Sequence, residues 1–538
     1  MMKAAFGILT FVCVSVTCAV ALAFPFGGLS HPVSMLSFAL GLTGAAAAWL
    51  SVTPLQSRLK PTVISILLLT IFAIASLRAF LWLIYPVGDE WRVLSPNNLG
   101  DISLHLDFIR YFASGVTFWP ESPILAGTPL CYPLGMDLLN SMLAHLGVPV
   151  ERGLVWTGLG GAALTAWALW RWGESFALAA FLFAGGLAGF QIFHTGRIED
   201  FQSALAWKNL FLSMFVTQRG LLYALPCGLL LLDAWRDDFF RTGSGVPRWL
   251  QFLLYATLPL FSVHAFLFLS LVLFAIFLTD RAARIPLFVF VGSAILPASA
   301  AVFLVTGAFS SSSGLRWLPG WMQDDDGLSF WIINFGISLP ILMFLAWKIF
   351  AGRAREASAF AGTGLAVFLL CFSVSFAPWE WDNTKLLIWA WLACAPAIWS
   401  IVLQPLPTTP RAAICFVLFF SGAVSLVGGL DGRHGYKLAL RSELSAAAQE
   451  LRNVPPHDRI AVEPTYNNPA MLLGRPVMCG YEGHLWSHGL SYKNKWNDLP
   501  HILQRENGWE LLARDYGVKW IYVPGSPLVR VPEMHVAP

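Results

Sequence analysis

Charge is what this sequence has least of: Asp, Glu, Lys and Arg make up 12% of its 538 residues. A water-soluble chain carries roughly a quarter, so most of this one has no water to face. The net balance is +3, too small to point to nucleic acid, whose partners concentrate basic charge on one face. Cysteine is sparse and unpatterned. None of the eight forms a CxxC pair, and Cys13, Cys18, Cys371, Cys394 and Cys415 lie in apolar runs. Only Cys131 and Cys479 stand in polar stretches, where a disulfide and two separate thiols are both open readings. Neither a Walker A loop nor a GxGxxG opens a helix, which disfavours nucleotide-driven and dinucleotide chemistry. Paired acids within an apolar run, expected of a proton-coupled transporter, are missing too. So are internal repeats and low-complexity tracts.

What the chain does have is apolar length, 57% of it hydrophobic, with 24 Trp and 41 Phe of the kind that form interfacial belts. A membrane helix needs about 20 apolar residues. Candidate runs are 4–24, 33–53, 62–85, 154–170, 175–193, 210–234, 250–263, 265–280, 286–307, 330–349, 358–377, 384–403 and 411–430. The two flanking His264 can also be one broken segment. The first reads as an anchor rather than a cleaved leader, because a second helix follows at once. Basic residues in short loops mark the cytoplasmic side: Arg58 and Lys60, then Arg236, Arg241 and Arg248, then Arg281 and Arg284, then Lys348, Arg353 and Arg355, then Arg411. That assignment places 86–133, 194–209, the turn at His264, 308–329, 378–383 and everything after 430 outside. Residues 134–149 read as a half-buried helix on the outer face. The expected architecture is an all-α polytopic membrane protein of about 13 transmembrane helices over 1–430. A small α/β extracytoplasmic domain over 431–538 follows it. In that domain Arg459–Val462 and Val518–Val523 read as strands, with helical stretches at 439–452 and near 507–515.

The outer loops hold the polar chemistry. In 86–133, Asp89, Glu90, Asp101, His105 and Asp107 occur together. On a helix starting near Asp101, His105 shares its face, Asp107 is rotated away, and Ile102, Leu106 and Ile109 form an apolar stripe suited to the bilayer surface. Asp101 is either a helix cap or, with His105, a carboxylate base or metal ligand pointed at a substrate. Gln218 and Arg219 interrupt an apolar run, where Arg either snorkels to headgroups or grips a phosphate. Glu380, Asp382, Asn383 and Lys385 sit among Trp379 and Trp381, as an interfacial anchor or as a cavity lining with Lys385 on a phosphate. His264 reads as a structural histidine. His484, Trp486, His488 and Tyr492 cluster with Glu482; Gly483 and Gly489 argue for loop, hence a substrate lid or a docking surface rather than a zinc site.

The segments GDISLHLDFIRYF, AGTPLCYPLGMD, TQRGLLYALPCGLLLL, FWIINFGISLP, FAPWEWDNTKLL and NNPAMLLGRPVMCGYEGHLWSHGLSY span roughly residues 80–530. In them the chain resembles the GT-C superfamily of membrane glycosyltransferases, and within it a bacterial branch of large polytopic proteins. The resemblance implies a GT-C-like fold in a bacterial plasma membrane, with the C-terminal domain outside. It also implies inverting transfer of a sugar from a polyprenyl-phosphate donor to a glycan, lipid or protein acceptor. By that resemblance Asp101 is the base, with His105 beside it and the Asp89–Glu90 pair as rival. Arg219, Lys385 and Gln218 face the donor phosphate, while Glu380, Asp382, His484, Trp486, His488 and Tyr492 line the substrate. A divalent metal, Mg or Mn, is the implied cofactor. Two spans precede the helix leading into the first outer loop, a departure from the usual pattern that leaves open which acid is the base. Two other classes fit the composition: a flippase of lipid-linked glycans, and a non-catalytic assembly protein on the same scaffold.

Overall fold

Backbone polar groups inside an apolar run find no water, so such runs close their hydrogen bonds internally as helices. The computed structural model describes residues 1–53, 60–95, 97–202, 205–308, 315–323, 327–352 and 354–533, most of them helical. Arg58 and Arg353, expected to mark the cytoplasmic side, lie outside the described residues. α1 (Met2–Phe26) and α2 (His31–Ser51) form a hairpin. Ser30 starts α2 by accepting the Val33 N–H at 3.4 Å, with Pro32 in the first turn. Phe11 stacks on Phe38 at 5.6 Å across the pair. α3 (Val63–Leu81) begins the same way, the Thr62 hydroxyl accepting from Ser65 N at 3.1 Å.

Among the described residues six helical stretches are long and apolar enough to cross a membrane: α1, α2, α3, Arg284–Val305, Glu380–Leu403 and Thr408–Gly429. Leu328–Phe335 and Ser338–Gly352 add a seventh if their 87° bend is one broken span. The remaining runs of the expected 13 are helical but short or interrupted. Runs 154–170 and 175–193 merge into α6 (Val150–Leu182), broken at Gly173–Glu174. Run 250–263 yields a ten-residue helix, Arg248–Thr257. Run 210–234 divides into a π-helical turn, Phe211–Phe215, and the helix Leu221–Phe240. Gln218, Arg219 and Gly220 occupy that break. Gly220 is needed there, because a Cβ would stand 2.2 Å from the Phe261 carbonyl oxygen.

α4 (Asn98–Ala113) corrects one expectation. Ile102, Leu106 and Ile109 do not lie on a bilayer; they are 0–2% exposed, enclosed by protein on a helix that packs on α5 (Gly135–His145). α5 has 11 residues, a length of about 16 Å, too short to cross a core of about 30 Å.

Three small sheets complete the fold. β1 (Tyr85–Val87) and β2 (Glu90–Val93) form a hairpin, and β5 (Tyr436–Leu440) adds antiparallel to β2 with Glu90 opposite Leu440. β3 (Leu315–Trp317) pairs antiparallel with β4 (Val374–Phe376). β6 (Arg459–Val462) runs parallel to β7 (Val518–Tyr522), and β8 (Val529–Arg530) is antiparallel to β7. The chain after 430 is thus knit into the first large loop. The Glu121 carboxylate takes two bonds from Arg459 at 2.7 and 2.8 Å, and the Ile124 carbonyl accepts from Gly480 N at 2.8 Å. Arg110 donates to the Leu472 carbonyl.

Candidate functional site

α4 opens one residue after Asn97, three residues earlier than the sequence suggests, so Asp101 falls inside the first turn instead of capping it. A carboxylate there is favoured by the helix dipole. Asp101 is half-buried, and its Oδ1 accepts from Gln218 Nε2 at 3.2 Å. One turn on, His105 is buried and its Nδ1 donates to both oxygens of Asp137 on α5, at 2.9 and 3.1 Å. A carboxylate only accepts, so Nδ1 carries a proton, and in the neutral ring Nε2 is the acceptor nitrogen. That Nε2 is buried with no partner among the described residues. Tyr132 bridges outward, its ring 6.1 Å from His105 and 5.1 Å from His488.

The segment before the helix Thr384–Ala397 is pinned from three sides. Trp381 Nε1 donates to the Ala206 carbonyl at 2.9 Å, and Trp321 Nε1 to the Glu380 carbonyl at 2.9 Å. Asn383 donates to the carbonyls of Cys371 and Val374 and accepts from Phe376 N. These bonds fix Asp382 and Lys385, whose Nζ lies 2.9 Å from Asp382 Oδ2. Both lie within electrostatic reach of Asp101. Burial raises the Asp101 carboxyl above its ordinary range, a rise that His105, Lys385 and the Gln218 bond oppose and Asp382 reinforces. Glu380 turns away to Arg316 at 2.6 Å.

Arg219 does not snorkel. It is 1% exposed, and its Nη2 donates to the Leu154 carbonyl at 2.6 Å and to Thr157 at 2.9 Å on α6. Its Nε and Nη1 have no acceptor among the described residues, and Asp137 is its charged neighbour. Asp137 therefore sits between His105 and Arg219. Sequence reasoning missed it, although AGTPLCYPLGMD contains it, because its partner is 32 positions away.

Asp89 and Glu90 stand apart from this group. Glu90 pairs with Arg92 at 2.8 Å within the hairpin. Asp89 accepts from Ser442 N at 3.0 Å and from the Ser442 hydroxyl, capping the helix Arg441–Glu450 from outside. Asp89→Ala should lower thermal stability by about 0.5–2 kcal/mol, the worth of a helix cap. The melting temperature of the purified variant checks this; an unchanged value would remove the capping role.

The expected loop at 482–488 is a short helix, Glu482–Ser487. Gly483 is tolerated because packing, not propensity, holds the turn. His484 is buried, and a Cβ on Gly100 would lie 3.4 Å from its Nε2, so it packs over the first turn of α4. Trp486 is 46% exposed and its ring centroid lies 6.1 Å from that of Trp379. Tyr492 donates to Glu482 at 2.8 Å, the expected contact with that residue, and fastens the short helix. Burial pushes the His484 imidazole down from 6.5 to about 4, and lowers the partly exposed His488 as well. A lowered folded-state value means the unfolded segment binds the proton first, so stability falls as pH drops below 6.5 and the loss is complete near 4. Docking of 482–490 should weaken by about 2 kcal/mol at pH 5 relative to pH 8. Hydrogen exchange of that segment checks this; protection unchanged from pH 8 to 5 would contradict it.

The divalent metal expected from the resemblance finds no fitting ligand set. Among the described residues no three His, Cys, Asp or Glu side chains gather to hold one. Asp101, Asp137 and Asp382 each face a different partner: Gln218, His105 and Lys385.

Fold and site together define a multi-pass membrane protein with carboxylate, imidazole and ammonium groups from distant segments gathered at one place. No family description and no curated protein matches the sequence. Among solved structures the chain is similar to the oligosaccharyltransferase of Archaeoglobus fulgidus in the apo form, at 12% identity and a TM-score of 0.43, covering 85% of this chain and 69% of that one. It is similar to the same enzyme in complex with Zn and sulfate, at 13% identity and a TM-score of 0.42, over 85% and 67% of the two chains. A third likeness is to archaeal oligosaccharyltransferase AglB from that organism with an inhibitory peptide and a dolichol-phosphate, at 12% identity and a TM-score of 0.40, over 86% and 69%. These are likenesses of general shape and assign no role to any residue here.

Proposed function

We propose that this chain is a glycosyltransferase of the GT-C superfamily, transferring a sugar from a polyprenyl-phosphate donor to an acceptor hydroxyl outside a bacterial plasma membrane. One observation carries the reading: a half-buried carboxylate, Asp101, held by Gln218, lies within reach of an ammonium, Lys385. A base and a cation side by side are what displacement of a lipid phosphate requires. The Asp101 carboxylate takes the acceptor proton as the hydroxyl oxygen attacks the anomeric carbon. The bond from that carbon to the phosphate oxygen breaks on the opposite face, inverting the centre. Lys385 stabilises the negative charge that develops on the departing lipid phosphate. His105, its tautomer set by Asp137, offers Nε2 to a substrate hydroxyl, and buried Arg219 adds positive potential from behind. Trp379 and Trp486, both exposed, give a sugar ring an aromatic face. His488 and Asp382 complete the wall.

The basic loops support the sidedness: on the 13 runs read from the sequence, placing those loops inside leaves the region after 430 outside. The test is purified protein in liposomes with a labelled polyprenyl-phosphate sugar and an acceptor. Release of polyprenyl phosphate in step with glycosylated acceptor is expected. Movement of intact donor across the bilayer without cleavage would replace this reading with a flippase.

A further inference from the structure

The helix Leu221–Phe240 has 20 residues, so its far end lies about 30 Å from the Gln218–Arg219 break, roughly the thickness of a bilayer core. A second polar concentration sits at that end, unused by the proposed reaction. There a cavity of about 610 Å³ is bordered by Arg171, Arg236 and Arg241 and by the carboxylates of Glu174, Asp233, Asp237 and Glu356. Another of about 250 Å³ adjoins it, sharing Trp172, Arg236, Glu356, Pro396 and Ser400. Its further wall is apolar: Phe360, Ala361, Ala397 and Ile401. A charged chamber continuous with an apolar cleft suits an amphiphile better than a water-soluble metabolite.

Three interruptions of helix geometry converge on the same space. α6 breaks at Gly173 and Glu174, the latter at φ 53° and ψ −142°. Ser358–Gly362 and Ile398–Leu403 are π-helical. Such a backbone at a glutamate costs about 1–3 kcal/mol, and π-turns gather at functional sites.

The charges themselves are incompletely matched. Asp233 accepts from Arg171 and Arg236, each at 2.6 Å. Arg241 makes longer pairs with Asp237 at 3.3 Å and Glu356 at 3.2 Å. Arg236, 7% exposed and stacked 4.5 Å over the Trp172 ring, keeps its buried Nε–H without an acceptor among the described residues. Glu174, exposed, has no ion pair among them. Three guanidiniums thus meet four carboxylates: Glu174 is the charge left over, and among the described residues the Arg236 Nε–H is a donor still without an acceptor.

We propose that this chamber binds a zwitterionic phospholipid of the phosphoethanolamine type. Arg236 and Arg241 take the phosphate, Glu174 takes the ammonium, and an acyl chain lies along the cleft beside Phe360 and Ile401. A purely anionic headgroup would set its charge against Glu174 with nothing to answer it. Free phosphoethanolamine shares the headgroup chemistry but leaves the cleft empty.

The test uses the full-length protein, delipidated in detergent, with three probes: phosphatidylethanolamine, phosphatidylglycerol of the same chains, and phosphoethanolamine. Binding is read by native mass spectrometry. Phosphatidylethanolamine should bind about tenfold more tightly than either other probe, the worth of one charge-assisted contact. Glu174→Gln should erase the preference over phosphatidylglycerol, and Arg241→Gln should weaken both lipids. Ser400→Trp, placed at the exposed junction of the two spaces, should weaken phosphatidylethanolamine and spare phosphoethanolamine. Equal binding of the two lipids, or a preference that survives Glu174→Gln, would overturn the headgroup assignment. Phosphoethanolamine binding as tightly as the lipid would overturn the cleft and make this a metabolite site. None of these readouts depends on sugar transfer.

Discussion

Asp101→Asn should lower turnover for sugar transfer by about 10²–10⁴-fold, the range for loss of a positioned general base. The substitution is nearly isosteric, and an amide oxygen still accepts from Gln218, so the first turn of α4 keeps its bond. Donor KM should move little, because the carboxylate acts on the acceptor. The wild-type rate should fall on the acid side of a pH higher than an ordinary carboxylate would give, since burial raises this group and only its ionised form accepts a proton. Turnover in the asparagine variant within a few-fold of wild type would remove Asp101 as the base.

Lys385→Met should be the second large effect. A cation aimed at a leaving phosphate contributes about 10²–10³-fold in turnover, and its loss should also raise the donor KM. The same change strands Asp382, which now shares a 2.9 Å contact with the ammonium. The double variant Lys385→Met with Asp382→Asn separates the two causes. If the defect came only from an unpaired carboxylate, the second change would restore activity. Lys385→Arg should keep part of the rate because it keeps the charge, though with different geometry. Unchanged turnover and donor KM in Lys385→Met would leave the departing phosphate without its proposed partner.

How much of this was legible beforehand differs residue by residue. The spacing of Asp101 and His105 already put them on one helix face, and the structure brings that face toward Gln218 and Lys385. The same periodicity misled over Ile102, Leu106 and Ile109. An apolar stripe packs equally well on lipid or on another helix, and α5 occupies the place given to lipid. Asp89 and Glu90 stood as the rival base only through the family resemblance. Their bonds to Ser442 and Arg92 were not visible until β5 paired with β2. The glycines around His484 argued for loop on intrinsic propensity, which tertiary packing overrides in a helix this short.

Composition and apolar run length alone determined that this chain belongs in a membrane, because unpaired backbone and scarce charge leave no soluble alternative. The basic loops likewise set the expected sidedness before any coordinates. Tertiary structure alone decided which polar residues meet. Asp137 reaches His105 from 32 positions away, Gln218 reaches Asp101 from 117, and a second set of charges gathers around Trp172. Contacts of that range arise from how helices cross, and helix crossing depends on the fit of whole faces, which no local run of residues encodes.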